Sequence, residues 1–127
     1  METGIRHTEK VEVTKLNTAH AVGSGTLEVF STPSMIALME QTCYNCVQPH
    51  LDEGLTTVGT LVNIEHISAT PVGMTVTAEC TLRKIDSRRL VFEVTASDEK
   101  GTVGKGTHER FIVRTESFVR KTYSKLD

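Results

Sequence analysis

The second half of the chain alternates apolar and polar residues with a period of two, which is the pattern of half-buried strands. Two runs place their apolar side chains on a single face: Met74, Val76, Ala78, Cys80 and Leu82 in one, and Leu90, Phe92, Val94 and Ala96 in the other. Further runs indicate strands over residues 57–68 and 102–115, and a looser alternation indicates a first strand over residues 8–16. Turn residues at 71–73, 86–89 and 98–101 separate the later runs, so we predict antiparallel hairpins.

One segment has helical periodicity instead. It starts at Ser31-Thr32-Pro33, where a hydroxyl residue, Thr32, is placed to cap the helix and proline occupies the first helical position. We predict a helix over residues 33–51. Glu40 lies at the edge of its apolar stripe, one turn from Ile36 and from Tyr44. A carboxylate beside buried surface needs a partner or a function.

The order of elements is a strand, one long helix and four antiparallel strands. This order predicts an α+β protein in which an antiparallel sheet wraps around a central helix, the hotdog arrangement. We expect residues 1–127 to form a single domain with a frayed tail at 119–127. Residues 17–30, which include Gly23-Ser24-Gly25, are expected to form a flexible connection. An open sheet edge favours covering by a second copy, so we predict a homodimer and consider a dimer of dimers.

The composition argues against two classes of function, nucleic-acid binding and membrane insertion. The 127 residues carry a net charge of −2, and no basic tract indicates a nucleic-acid partner. No apolar run is long enough to cross a membrane, and the N-terminus has no hydrophobic signal core. We therefore expect a cytoplasmic protein, and the three cysteines are consistent with a reducing compartment.

Four residues join Glu40 as candidates for chemistry. His66 shares a strand face with Val62 and Ile64, where partial desolvation tunes its charge, although taken alone a structural histidine is the better interpretation. Thr32 lies at the positive end of the helix, and eight residues, or about 12 Å of helix axis, separate it from Glu40. The two residues flank one ligand only if the chain bends or the ligand is long. Membership in different sites across a dimer interface is the other possibility, and the sequence does not decide between the two.

Gly59 precedes the strand of His66, where it is either a strand-entry glycine or a backbone N–H brought close to a ligand oxygen. Arg110 shares a face with Gly104, Gly106 and His108 in the last strand. The glycines indicate close approach by the helix, a second subunit or a ligand. Arg110 either pairs with Glu40 or holds substrate, and the sequence favours neither.

Cys43-Tyr44-Asn45-Cys46, followed by His50, is a weak candidate for metal or redox chemistry. Zinc needs four ligands and no second cysteine pair exists, while a thioredoxin-type motif opens a helix and does not lie within it. Packed core thiols are favoured. We expect neither a metal centre nor a cofactor.

Three stretches resemble the fluoroacetyl-CoA thioesterase-like branch of the hotdog superfamily. They are Val29-Phe30-Ser31-Thr32 with Leu38-Met39-Glu40; Val58-Gly59-Thr60 through His66 to Val76; and Gly106-Thr107-His108-Glu109-Arg110. The resemblance implies hydrolysis of an acyl-CoA thioester, with Thr32, Glu40 and His66 as the catalytic residues. It also implies that Gly59 contacts the thioester carbonyl and that Arg110 lies in the active site.

One difference between this chain and the family pattern concerns the choice of substrate. The fluoroacetate-specific member of the family carries a longer, phenylalanine-bearing lid, whereas residues 20–29 here are short and glycine-rich and contain no aromatic residue. We therefore expect a short or otherwise small acyl-CoA as substrate. The alternatives are a non-catalytic acyl-CoA-binding module and, with less support, an enoyl-CoA hydratase-type enzyme. Hydratases of this fold usually carry Asp and His close together on the helix, and this helix lacks that pair.

Overall fold

A computed structural model of the chain, which describes all 127 residues, shows a five-stranded antiparallel sheet ordered β1-β3-β4-β5-β2 around one long helix. The elements are β1 (Arg6–Glu12), α1 (Ala19–Val22), α2 (Thr32–Val47), β2 (Leu55–His66), β3 (Thr75–Asp86), β4 (Arg89–Asp98), β5 (Gly101–Arg114) and α3 (Thr115–Tyr123). The predicted α+β arrangement of a sheet around a central helix is confirmed. None of the helices is both long and apolar enough to span a bilayer.

The core lies between α2 and the concave face of the sheet. The apolar faces predicted for β3 and β4 are confirmed, since Val76 to Leu82 and Leu90 to Ala96 are buried at every second residue. From the helix, Met35, Leu38 and Met39 pack against this face. Cys43, Cys46 and Cys80 are free thiols buried in the same core, as predicted for packed core thiols.

The start of α2 differs from the prediction in one residue, with a consequence for the site. Ser31, not Thr32, is the N-cap, and its hydroxyl accepts a hydrogen bond from the Ser34 N–H at 3.1 Å. Because Ser31 satisfies the end of the helix, the Thr32 hydroxyl is free for another partner. The helix also ends earlier than predicted, at Val47, because Pro49 has no N–H for a further helical hydrogen bond.

Two segments have more structure than expected. The connection over residues 17–30 contains the short helix α1, which Thr18 caps and Gly23 ends in the left-handed conformation. A bridge from Thr18 to Phe30 joins the two ends of this connection, and a bridge from Val29 to Pro71 joins it to the segment between β2 and β3. The polar tail, expected to be frayed, forms the exposed helix α3.

Strand β2 forms one edge of the sheet. It pairs with β5 alone, and Leu61 and Val62 near its middle are 44% and 42% exposed. A long edge strand with exposed apolar residues is a template for pairing with another chain.

Glu9 on β1 fastens this strand to α2. Its carboxylate accepts hydrogen bonds from Gln41 Nε2 and Asn45 Nδ2, both at 2.7 Å, and lies 2.9 Å from His7 Nε2. Burial acts to raise the pKa of Glu9, but these hydrogen bonds outweigh it and hold the pKa below its ordinary value. The ionised form is therefore the one that the fold stabilises.

The Glu9→Gln variant is expected to unfold more easily at pH 7, by about 1–2 kcal/mol, because a neutral amide replaces a charged acceptor of several hydrogen bonds. A carboxylate with a depressed pKa contributes stability above its unfolded pKa and loses that contribution as the pH falls through the folded value. The difference between wild type and variant should therefore shrink below about pH 4.5. Urea unfolding at pH 7 and pH 3.5 measures it, and an equal difference at both values would contradict this role.

Candidate active site

Glu40 projects from the middle of α2 toward β5. Its Oε2 lies 3.4 Å from Arg110 Nη1 and 3.9 Å from His108 Nε2, and its side chain stays 41% exposed. The pairing with Arg110, one of the two possibilities that the sequence left open, is thus present. A partly exposed carboxylate next to a buried cation is accessible to a ligand and also held in place.

Arg110 is the fixed charge of this cluster. Its side chain is only 8% exposed, Nε donates to Thr57 Oγ1 at 2.8 Å, and Nη2 donates to the Thr57 carbonyl at 3.1 Å. The guanidinium also lies 5.9 Å from the centre of the Tyr44 ring. Burial lowers the pKa of Arg110, and the nearby Glu40 carboxylate opposes this shift. A buried cation is tolerated only with such partners, so Arg110 and Glu40 depend on each other.

Gly59 lies directly beside the carboxylate. It is opposite Arg110 in the β2–β5 register, just before a bulge at Thr60. A Cβ at this position would come within 2.6 Å of Glu40 Oε2, closer than any side chain tolerates. The absence of a side chain therefore lets Glu40 lie against the backbone of β2.

Thr32 and His66 form a second cluster. Thr32 Oγ1 is 2.7 Å from His66 Nδ1 and joins the first turn of α2 to the end of β2. Burial lowers the pKa of His66, and the nearby Ser68 backbone opposes this shift without forming a well-aligned hydrogen bond. His66 Nε2 is buried and has no partner in the protomer. An unpartnered buried nitrogen is costly, so a polar group of a ligand or of a second chain would stabilise His66 by bonding to it.

A cavity of about 350 Å³ opens beside this second cluster. Thr32 and His66 line it together with apolar side chains that include Val29, Phe30 and Ile67. The cavity thus places a small apolar space next to a hydroxyl and an imidazole, which suits a short acyl chain.

The two clusters are separate within one protomer. No hydrogen bond or ion pair joins Glu40 to Thr32 or His66. Their separation along α2 is about 12 Å. The structure therefore brings together Glu40, Gly59 and Arg110, and separately Thr32 and His66.

His108 is a site residue that the sequence reasoning missed. It is 1% exposed and lies within reach of both Arg110 and Glu40. The available signal was its position two residues before Arg110, on the same strand face. Gly104, whose function was open, accommodates the helix, since a Cβ there would lie 2.5 Å from Met35 Sδ.

Comparison with known proteins gives consistent results. The family model of the fluoroacetyl-CoA-specific thioesterase matches residues 13–116. The fluoroacetyl-CoA thioesterase of Streptantibioticus cattleyicolor is 41% identical over 98 residues, which are 77% of this chain and 70% of that protein. A solved structure of a fluoroacetyl-CoA thioesterase superposes with a TM-score of 0.93 at 35% identity, over 98% of this chain and 97% of that one.

A hot-dog-like protein from Thermanaerovibrio acidaminovorans superposes with a TM-score of 0.92 at 23% identity, over 100% of this chain and 94% of that one. At this identity the likeness concerns the fold alone, and it confirms the predicted hotdog arrangement.

Proposed function

The chain belongs to the fluoroacetyl-CoA-specific thioesterase family, and on this premise we propose that it hydrolyses a small acyl-CoA thioester to the free acid and CoA. The observation that carries the proposal is the placement of the Glu40 carboxylate against the Gly59 backbone, next to a buried cation. Such an arrangement offers a base or nucleophile beside a backbone group that can meet a thioester carbonyl.

The reaction assigned to these residues proceeds as follows. The Gly59 N–H, assisted by the Thr32 hydroxyl, stabilises the oxyanion that forms on the thioester carbonyl. Glu40 either takes a proton from the attacking water or attacks the carbonyl carbon itself, giving an anhydride that water then cleaves. The C–S bond breaks, and His66 delivers a proton to the departing CoA thiolate. The proton released by the attacking water then returns to His66, so that both residues regain their starting states. Arg110 holds Glu40 in place through the contact of Nη1 with Oε2.

The site as proposed is completed by a second copy of the chain. Within one protomer Glu40 and His66 lie in different clusters, and His66 Nε2 has no partner. Antiparallel pairing of two β2 strands about a two-fold axis near Val62 places Gly59 of one chain opposite the partner's His66. The exposed Leu61 and Val62 lie at this axis. The dimer therefore has two sites, each built from both chains.

The acyl group is assigned to the cavity next to Thr32 and His66. Its lining includes small and apolar residues, and the covering segment, residues 20–29, lacks aromatic side chains. We therefore propose activity on short acyl-CoAs generally, with no exclusive preference for fluoroacetyl-CoA. A binding module without turnover has no need of Glu40, Thr32 and His66 together, which disfavours that alternative.

A panel of acyl-CoAs with detection of the released thiol tests this function. Acetyl-, propionyl- and butyryl-CoA are expected to react with a kcat/KM at least about tenfold above that of octanoyl-CoA, because five of the ten residues that line the cavity are polar and offer little apolar surface to a longer chain. Fluoroacetyl-CoA should be hydrolysed without exceeding acetyl-CoA by more than about tenfold. Tight binding of all esters without thiol release would support the binding module instead. Hydration of crotonyl-CoA would support the hydratase.

Two further predictions accompany the proposal. Residues 1–127 are proposed to act as one thioesterase domain, which the single sheet and single core support. A cytoplasmic location is proposed from the sequence, and three free buried thiols agree with a reducing compartment.

A further inference from the structure

His108 is a buried titratable group beside Glu40, and neither the sequence motifs nor the proposed chemistry assigns it a function. It is 1% exposed, lies opposite Phe92 in the β4–β5 register, and stacks on that ring with 6.4 Å between centroids. Buried polar groups are nearly always hydrogen-bonded, so each of its two nitrogens needs a partner.

The partners determine which nitrogen carries the proton. Nδ1 lies 2.8 Å from the Leu61 carbonyl oxygen, which can only accept, so Nδ1 donates. Nε2 lies 3.1 Å from Arg110 Nη1, which can only donate, so Nε2 accepts. The ring is therefore neutral and in a single tautomer. Burial lowers the pKa of His108, and the Arg110 cation lowers it further against the opposing effect of the Leu61 carbonyl.

His108 supplies what Arg110 otherwise lacks. Thr57 holds Nε and Nη2 of the guanidinium, and only Nη1 faces the active site. Nη1 is shared between His108 Nε2 at 3.1 Å and Glu40 Oε2 at 3.4 Å. With all three nitrogens held, the guanidinium cannot rotate, and one oxygen of Glu40 is held by it. The other oxygen, Oε1, makes no hydrogen bond in the protomer, and the side chain is 41% exposed.

We infer that His108 is a positioning residue for thioester hydrolysis: as a neutral acceptor it aligns Arg110, which in turn orients the Glu40 carboxylate for reaction. This inference rests on the proposed function of Glu40. A merely structural histidine would affect stability alone, whereas a positioning residue affects turnover through Arg110 and has little influence on the binding of CoA.

The test compares two substitutions of different chemistry. His108→Phe keeps the ring packed on Phe92 but removes both hydrogen bonds, and is expected to lower kcat by about 10- to 100-fold while changing KM less than about threefold. His108→Gln can donate to Leu61 and accept from Arg110, so it should recover most of the lost kcat. Thr42→Val is the matched control, because it removes another buried hydrogen bond, from Thr42 Oγ1 to the Leu38 carbonyl, away from the site.

A double variant with Arg110 distinguishes an effect of His108 on the position of Arg110 from an effect of His108 on packing. Arg110→Lys keeps the charge but cannot bond Thr57 and His108 together. If His108 acts through Arg110, adding His108→Phe to Arg110→Lys should lower kcat less than about twofold further. Multiplicative losses in the double variant, or a kcat for His108→Phe no lower than that of Thr42→Val, would overturn the inference. If the double variant does not fold, failure of His108→Gln to recover kcat would overturn it as well. A fully active Glu40→Gln enzyme would instead overturn the role of Glu40 on which this inference rests, and absence of thiol release by the wild type would overturn the proposed function.

Discussion

The Glu40→Gln variant is expected to lose acyl-CoA hydrolysis by about 10³-fold or more in kcat, because the amide can neither accept a proton from water nor attack the thioester. Gln has nearly the same size as Glu, its amide oxygen can still accept a hydrogen bond from Arg110, and the side chain is 41% exposed, so the variant should fold with some loss of stability from the uncompensated Arg110 charge. KM should change little, since the carboxylate acts on the reacting bond. Stopped thiol-release assays with wild type and variant side by side give both constants.

Glu53→Gln is the matched control for Glu40→Gln. Glu53 is an exposed carboxylate in the turn before β2, and the same substitution there should leave kcat unchanged. Near-wild-type activity of Glu40→Gln on every acyl-CoA of the panel would show that the site assignment is wrong.

Single-turnover hydrolysis in heavy-oxygen water separates the two routes open to Glu40. Label found in the Glu40 carboxylate after one turnover supports the anhydride, since label enters the protein when water attacks the anhydride carbon that derives from Glu40. Label found only in the released acid supports direct attack by water.

A heterodimer of Glu40→Gln with His66→Ala is expected to recover about half of wild-type activity, although each homodimer is nearly inactive. In this heterodimer one site receives intact Glu40 from the His66→Ala chain and intact Thr32 and His66 from the other. The second site carries both substitutions. Co-expression with two affinity tags isolates the mixed species, and thiol release measures its kcat per dimer.

The reciprocal heterodimer sharpens this result. Wild type paired with the Glu40→Gln/His66→Ala double variant should be nearly inactive, because each shared site then contains one altered residue. If every protomer instead contained its own complete site, the outcomes would be reversed: the first heterodimer would be inactive, and the second would keep about half of the activity. A chain that remains monomeric at assay concentration would likewise contradict a shared site.

Much of the candidate site was visible in the sequence because its residues carry unusual chemistry for their local pattern. Glu40 interrupts an apolar helical stripe, and Arg110 and two glycines interrupt a strand face. The sequence does not reveal which of these residues contact one another. Glu40 and Arg110 are 70 residues apart, and Thr32 and His66 are 34 apart. Local periodicity contains no information on such pairs, since strand register and helix docking determine them.

The choice between adjacent hydroxyl residues also needed the tertiary structure. Ser31 and Thr32 are equally suitable caps by sequence, and the structure uses Ser31, which leaves Thr32 for His66. His108 was overlooked for a related reason. A histidine among small and charged residues has no distinctive local pattern, and its importance comes from the Leu61 carbonyl and the Arg110 guanidinium that it joins.

By itself, the sequence determined the five strands and the one long helix, the buried faces of β3 and β4, and the family of the protein, because alternation and spacing act over a few residues and the motifs are local. Only the tertiary structure decided that β2 is an exposed edge, that Glu40 lies against Gly59 and Arg110, and that Thr32 and His66 form a separate cluster. These features follow from packing one helix across a curved sheet, which brings distant residues together and keeps residues of one helix apart.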